Sequence, residues 1–254
     1  MAFVDIHSHV LHGLDDGAKT LAESVEMLRI AASKGTTDIV ATPHASGQYP
    51  FKPDLIAQRI SEVQPLVDVR IHRGCDFHLQ ADHIEDALAH PAKYTINGRG
   101  YLLVEFPELA IFSSSDEILF QLLDCGMIPI VTHPERNARL RVKITDIARW
   151  VEAGCYVQVT AGACTGRFGE EARACAHALV ERGLVHFIAS DAHDCGRRSP
   201  SLREAYDTLL KKWTEERIRP LFVENPQAVL TGHPIDIDIS LASFKRRKWY
   251  QFWG

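Results

Sequence analysis

Seven short runs of β-branched and aliphatic residues recur along the chain at the spacing of a strand–helix–strand unit. They begin at Phe3 (FVDI), Asp38 (DIVAT), Val69 (VRIHRG), Tyr101 (YLLVEF), Ile128 (IPIVTH), Cys155 (CYVQVT) and Val185 (VHFIAS), with starts 27 to 35 residues apart. A strand, crossover helix and parallel strand occupy about 30 residues. The runs are apolar on both faces, as parallel strands covered on both sides must be. Helical patterns fill the gaps. Thr20, with Glu23 three residues on, reads as the N-cap of a capping box. Leu21, Val25, Leu28 and Ala32 follow at helical spacing, and Gly35 can end the helix. Ser115 opens a second helix with Ile118, Leu119, Leu122 and Leu123 inside and Gly126 as its stop. A third runs from about Glu170 to Glu181 and stops at Gly183, and a fourth starts near Ser201 with Leu202, Tyr206 and Leu209 on one stripe. This alternation predicts an α/β fold, a (β/α)7 barrel of seven units. An open doubly wound sheet is the competing architecture, and periodicity does not separate the two.

The chain has 254 residues, 46% of them hydrophobic and 24% charged, enough to bury a core and too apolar to stay disordered. No apolar run approaches the roughly 20 residues of a membrane helix. The opening MAFVDIHSHV lacks the basic-then-apolar pattern of a secretory signal. Six cysteines are scattered without a C-x-x-C pair, which predicts reduced thiols and a cytoplasmic protein. A net charge of -5 argues against general nucleic-acid binding. One segment departs from this balance: the last ten residues, KRRKWYQFWG, hold four cations and no acid. We therefore expect one domain over residues 1–234 and a basic-aromatic tail over 235–254. Lys245 to Lys248, followed by Trp249, Tyr250, Phe252 and Trp253, suit an acidic partner or a membrane surface; a solvated or self-packing terminus is the plainer reading.

Function is concentrated at the strand ends. In parallel α/β folds, binding and catalytic groups gather at the carboxyl ends of the strands. Here the first run ends in His7 and His9, the second in His44, the third in Asp76, the fourth in Glu105, the fifth in His133, and the seventh in Asp191 and His193. Only the run from Cys155 lacks such a residue. A single histidine after a strand is usually a satisfied surface or core residue, and His12, His72, His78, His83, His90, His177, His186 and His233 are read that way. His7-Ser8-His9 differs, because two side chains straddling one residue reach a common ion, and Asp191-Ala192-His193 repeats the pattern. Eight ligands exceed the coordination of one zinc ion. Two or three divalent ions sharing carboxylates fit better, and a mixed imidazole and carboxylate set suits manganese, iron or zinc. Such clusters activate water and hold phosphoryl oxygens.

Two arginines stand beside these ligands. Arg136 follows His133 by three residues, in HPER, and Arg198 lies five residues after His193. A guanidinium matches phosphate bidentately. Asp15-Asp16-Gly17 offers a supporting acid or a proton donor, with a plain turn as the alternative; Asp16 and His12 are the candidate general acids.

DIHSHVLHGLDDGAKT, ATPH, YLLVEF, PIVTHPER and FIASDAH, in that order and spacing, resemble the polymerase-and-histidinol-phosphatase superfamily. More narrowly they resemble its bacterial protein-tyrosine phosphatases, encoded with capsule and exopolysaccharide systems. The narrower resemblance rests on DDG-x-K, HPER, VQVTAGACTGRFG and ENPQAVL, and spans about residues 3 to 231. It implies a distorted, TIM-like (β/α)7 barrel with a three-metal site, often manganese-dependent. The implied ligands are His7, His9, His44, Glu105, His133, Asp191 and His193. Asp76 stands where this family usually has glutamate, one methylene longer. Arg136 matches the family's phosphate-contacting arginine, and the second such arginine aligns with Arg198, or with Arg197 if one residue is missing. The implied substrate is the phosphorylated tyrosine-rich tail of a bacterial tyrosine kinase.

Rival readings stand beside that one. Cysteine-dependent tyrosine phosphatase chemistry needs arginine six positions after the cysteine, and no cysteine here has one. Gly162-Ala163-Cys164-Thr165-Gly166 has the form of a nucleophile elbow between strand and helix. Within the superfamily, histidinol-phosphate phosphatase is the main alternative, and a non-catalytic metal-holding scaffold is the third class. Phosphotyrosine is favoured over the metabolite by its leaving group. A phenolate, with a conjugate-acid pKa of about 10, departs with little protonation, whereas an alkoxide needs a well-placed acid. The interruptions around Gly47–Pro53 and Ile111–Ser115 are also short for a lid over a small molecule.

Overall fold

All seven runs form strands in the computed structural model, which describes residues 1–107 and 115–235. In chain order the elements are β1 (Phe3–Ser8), α1 (Leu21–Ser33), β2 (Thr36–Ala41), β3 (His44–Ala45), α2 (Pro53–Val63), β4 (Arg70–Arg73), β5 (Asp76–His78), α3 (Ala81–Ala89), α4 (Pro91–Tyr94), β6 (Tyr101–Glu105), α5 (Ser115–Asp124), β7 (Ile128–Thr132), α6 (Ile144–Glu152), β8 (Tyr156–Thr160), α7 (Ala161–Cys164), α8 (Glu170–Glu181), β9 (Phe187–Ala189), α9 (Arg203–Leu210), α10 (Glu215–Ile218) and α11 (Glu224–Thr231). The second and third runs are each broken in two. Pro43 cannot donate to a ladder and ends β2, while its carbonyl accepts from Asp76 N at 3.1 Å. Gly74 interrupts the third run where a Cβ would lie 2.7 Å from Val40 Cγ1.

All strand pairs are parallel. One sheet has the order β1-β2-β4 and the other β3-β5-β6-β7-β8-β9. The first and last runs meet past their ends. Ser8 and Ala192 form a parallel bridge, with His9 N donating to Ala192 O and Asp191 N to His7 O, both at 2.8 Å.

The strands are buried on both faces. On β6, Leu102 and Val104 pack outward with Leu119, Leu122 and Trp150 of the helices. Tyr101 and Leu103 face a second core to which Val4, Ile6, Val40, Ile130, Tyr156 and Phe187 contribute from the other strands. At about 25 cal/mol per Å² of apolar surface removed from water, these clusters are the main stabilising contribution.

Local signals are legible in the helices, with one correction. Thr20 Oγ1 accepts from Glu23 N at 3.2 Å, but the Glu23 carboxylate reaches Lys19 N at 2.7 Å rather than Thr20 N. The buried stripe of α1 is Ser24, Val25, Met27, Leu28 and Ala31, whereas Leu21 is 39% exposed. Leu21 is the first helical residue and lies beyond the layer that Val25 and Leu28 enter. Gly35 ends the helix at φ +93°, a conformation that costs a side-chain-bearing residue strain. Among the described residues no helix is long and apolar enough to cross a membrane. Ile235 is buried and its carbonyl accepts from the Tyr156 hydroxyl at 3.1 Å. The tail from residue 236, with its cations and aromatics, and residues 111–114 lie outside the described residues.

Candidate metal centre

The strand ends bring all eight expected ligands to one side of the sheets. His7 and His9, two apart on one strand, face their Nε2 atoms toward each other at 3.4 Å. Asp191 Oδ1 lies 3.5 Å from both. His44 Nδ1 is 3.0 Å from Asp76 Oδ2 and 3.6 Å from Glu105 Oε2. The rings of His9 and His193 stand 3.9 Å apart, and His133 Nε2 lies 3.8 Å from Glu105 Oε1. His133 and Asp191 have φ of +33° and +51°, the left-handed region that non-glycine residues rarely occupy. Such strain persists where the surroundings over-determine it, commonly at functional sites. Here His133 N is held by Gln158 O and Asp191 N by His7 O.

Donor atoms fall into three overlapping groups: His9, Asp16, His44 and His193; His44, Asp76, His78 and Glu105; and His7, His9 and Asp76. Asp16 Oδ1 lies 3.3 Å from the Nε2 atoms of both His44 and His193, among the donors rather than behind them. The supporting position belongs to Asp15, whose Oδ2 is 2.6 Å from His9 Nδ1 and accepts from His44 N at 3.1 Å. Gly17 completes this turn: its N–H donates to Asp15 Oδ1, and a Cβ there would collide with the His9 backbone.

The residues fit divalent cations. Neither oxygen of buried Asp76 accepts a hydrogen bond, although two imidazoles crowd Oδ2. His44 Nδ1 and His78 Nε2 face each other at 2.9 Å, so one proton or one cation must lie between them. The donors are imidazole and carboxylate without thiolate. Electrostatics agree. Burial disfavours the charged form of His9, yet Asp15 and Asp191 outweigh it and raise its pKa to about 9. Burial likewise opposes charge on His44, but Asp16 and Asp76 lift it to about 11. Burial and the Asp76 charge push Glu105 up. Hydrogen bonds from His193 and His44 hold the Asp16 carboxyl far below its usual range, so it is ionised at neutral pH. Protons on these imidazoles balance the carboxylates, and metal binding displaces such protons.

Both arginines reach the same atom. Arg198 Nη2 donates to Asp191 Oδ2 at 2.6 Å, and Arg136 Nη1 donates to that oxygen as well. The Arg136 guanidinium also lies 4.5 Å from the centre of the Phe168 ring. A cavity of about 460 Å³ opens over the cluster, with Arg136, Arg198, Asp16, His78 and Glu105 in its wall. Arg198 is there and Arg197 is not; the Arg197 carbonyl instead accepts from Arg167.

Two contributors escaped sequence reasoning. His78, read as an ordinary histidine, lies 2.6 Å from Glu105 Oε2 and is one of the donors. The signal was present, since Asp76-Phe77-His78 has the same x-spaced form as Asp191-Ala192-His193. Gln158 Oε1 lies 3.0 Å from His7 Nδ1, so the strand without a ligand orients one. The nucleophile-elbow alternative fails. Cys164 is fully buried, burial pushes its thiol up, and His177 reaches its carbonyl rather than its sulfur. His12 pairs with Glu62 at 3.5 Å and does not line the cavity.

Parallel strands with imidazole and carboxylate donors at one edge define a metal-binding α/β protein. Its fold is shared at low identity: a phosphotriesterase homology protein from Escherichia coli, complexed with phosphate in its active site, superimposes with a TM-score of 0.61 at 12% identity, over 89% of this chain and 97% of that one. Residues 3–231 match the family described as capsular polysaccharide synthesis, CpsB/CapC, and the chain belongs to that family. It is 32% identical to the tyrosine-protein phosphatase YwqE of Bacillus subtilis (strain 168), over 98% of this chain and 99% of the relative. It is 30% identical to the tyrosine-protein phosphatase CpsB of Streptococcus agalactiae, over 91% and 100%. A crystal structure from work on YwqE and Streptococcus pneumoniae CpsB, described as unique metal-dependent tyrosine phosphatases, superimposes with a TM-score of 0.85 at 32% identity, over 92% of this chain and 96% of that one.

Proposed function

We propose that this protein is a metal-dependent protein-tyrosine phosphatase whose substrate is a phosphorylated bacterial tyrosine kinase of capsule or exopolysaccharide synthesis. The observation that carries the reading is the meeting of Arg136 and Arg198 on Asp191, in the wall of a cavity that is also lined by Asp16, His44 and His193 of one donor group and His44, His78 and Glu105 of another. Family membership and relatives named as tyrosine phosphatases support the substrate class.

The cations would be held by His7, His9, Asp16, His44, Asp76, His78, Glu105 and His193, with His133 and Asp191 beside them. Two or three divalent ions, manganese foremost and iron or zinc as alternatives, supply water activation and neutralisation of phosphoryl charge when bound. Gln158 and Asp15 fix the tautomers of His7 and His9, leaving each Nε2 lone pair free for coordination. Arg136 and Arg198, held in the cavity wall by Asp191, would present their remaining N–H groups to the non-bridging phosphoryl oxygens, and preorganised donors of this kind contribute about 10²–10³ in rate each. Asp16 is ionised and 47% exposed, which suits an acceptor at the cavity mouth better than a proton donor. A phenolate leaving group tolerates that arrangement.

The seven runs form a closed, distorted (β/α)7 barrel in this reading, supported by the Ser8–Ala192 bridge between the first and last runs. Residues 1–234 make the phosphatase domain and 235–254 a tail for a partner or membrane surface. Six free cysteines support a cytoplasmic setting. The test is a side-by-side assay of a phosphotyrosine peptide and histidinol phosphate. We expect a higher kcat/KM for the peptide; comparable values, or a preference for a phosphoserine peptide, would overturn the assignment.

A further inference from the structure

The cavity over the metal centre is polar on nearly every side, and its apolar lining residues are Tyr49, Phe106 and Pro107. Phe106 directly follows Glu105 and gives the cavity almost no surface. It is 3% exposed and stacks on Trp150 with ring centres 5.0 Å apart and planes 18° apart. Tyr49 is the more exposed of the two aromatic rings, and its backbone is held in a turn. Ser46 N donates to Tyr49 O at 3.0 Å and Tyr49 N donates to Ser46 O at 3.1 Å, closing the turn that carries the ring. The Tyr49 ring lies 5.8 Å from that of His44, within 20° of parallel. Core packing does not account for this position. Tyr49 is half-buried and also borders a second cavity of about 200 Å³, lined by Pro43, Phe51 and Leu55, so a void adjoins it on either side. A half-buried aromatic side chain that borders two voids, one of them lined also by Arg136 and Arg198, is available to a flat apolar ligand.

We propose that Tyr49 forms the aromatic wall of a slot for the phenyl ring of the substrate's phosphotyrosine, which makes Tyr49 a specificity-determining residue; the proposal rests on the tyrosine-phosphatase reading above. The slot explains how a cavity otherwise built for a phosphoryl group distinguishes an aryl from an alkyl ester. An aryl phosphate enters with its phosphorus toward the metal ligands and its ring beside Tyr49. A phosphoserine leaves the slot empty.

The experiment compares the wild-type chain with Tyr49→Ala, Tyr49→Leu and Tyr49→Phe. Kinetics are measured on phosphotyrosine and phosphoserine peptides, and binding on phenylphosphonate and methylphosphonate, with metal content determined for each protein. An aromatic stack of ordinary strength corresponds to about three- to tenfold in affinity. Tyr49→Ala and Tyr49→Leu should raise KM for the phosphotyrosine peptide and Kd for phenylphosphonate by that factor. Methylphosphonate binding, phosphoserine kinetics and metal content should stay unchanged, and Tyr49→Phe should behave as wild type. Equal losses on aryl and alkyl ligands, or no loss on either, would overturn the slot. A wild type that fails to hydrolyse phosphotyrosine yet keeps a Tyr49-dependent preference for phenylphosphonate would remove the functional reading and leave the slot. Hydrolysis of phosphotyrosine without that preference would do the reverse.

Discussion

Gln158 Oε1 lies 3.0 Å from His7 Nδ1, which ties the one strand lacking a candidate ligand to the ligand cluster. The amide oxygen can only accept, so His7 carries its proton on Nδ1 and presents Nε2 to Asp76 and Asp191, each 3.5 Å away. Loss of a partner behind a ligating histidine typically costs about 10- to 100-fold in metal affinity. Gln158→Leu should weaken metal retention by that factor, read by elemental analysis after dialysis against graded chelator. Gln158→Glu, which keeps an acceptor, should retain more metal. Equal retention in all three proteins would contradict the role.

His78 should behave as a ligand and His72 should not. Both lie on the third run. His72 is spent on Asp38, at 2.9 Å, while His78 sits 2.6 Å from Glu105 and 2.9 Å from His44. His78→Ala is expected to lower the metal content per chain and depress kcat. His72→Ala should leave both near wild type. Matching metal content in the two variants would remove His78 from the centre.

Arg136→Ala and Arg198→Ala should each reduce kcat/KM by about 10²–10³ with metal content unchanged. Arg197→Ala should have little effect, because that residue is absent from the cavity wall. A large loss with Arg197→Ala and none with Arg198→Ala would reverse the assignment.

The parallel α/β alternation was readable because β-branched runs buried on both faces recur at the length of a strand–helix–strand unit, a period that a barrel and an open sheet share. The residues at their ends were readable because His7, His44, Glu105, His133 and Asp191 each close a run. Less of the site was legible where its meaning depends on what a side chain faces. Asp15 and Asp16 are adjacent and chemically identical, yet one lies behind His9 and the other among the donors. Gln158 falls mid-run in an apolar strand, and only the fold brings it to His7. The stripe of α1 was misjudged at Leu21, because helical spacing defines a face but not how far the core extends along it.

Acid should destabilise the fold partly through His186. Its Nδ1 accepts from Val157 N at 3.1 Å, and its Nε2 is buried without a partner. Burial lowers its pKa to about 3 in the folded chain, against an ordinary histidine value of 6.5. The unfolded chain therefore takes up a proton first, and stability present above about pH 6.5 is lost as pH falls toward 3. The slope from one such group is at most about 1.4 kcal/mol per pH unit. His186→Asn keeps an acceptor for Val157 and removes the titration. Its urea-unfolding free energy should fall less steeply between about pH 6 and pH 4 than that of the wild type. Parallel slopes would exclude His186 as a contributor.

The most direct test of the central claim is a titration of the metal-stripped full chain with manganese, following bound metal and phosphotyrosine-peptide hydrolysis in the same samples. Activity should be absent without metal, rise as the sites fill, and reach its maximum at two to three ions per chain, the number that the proposed sharing of the three overlapping donor groups predicts. Full activity with fewer than two ions per chain, or hydrolysis that persists after complete removal of metal, would contradict a multinuclear metal-dependent phosphatase.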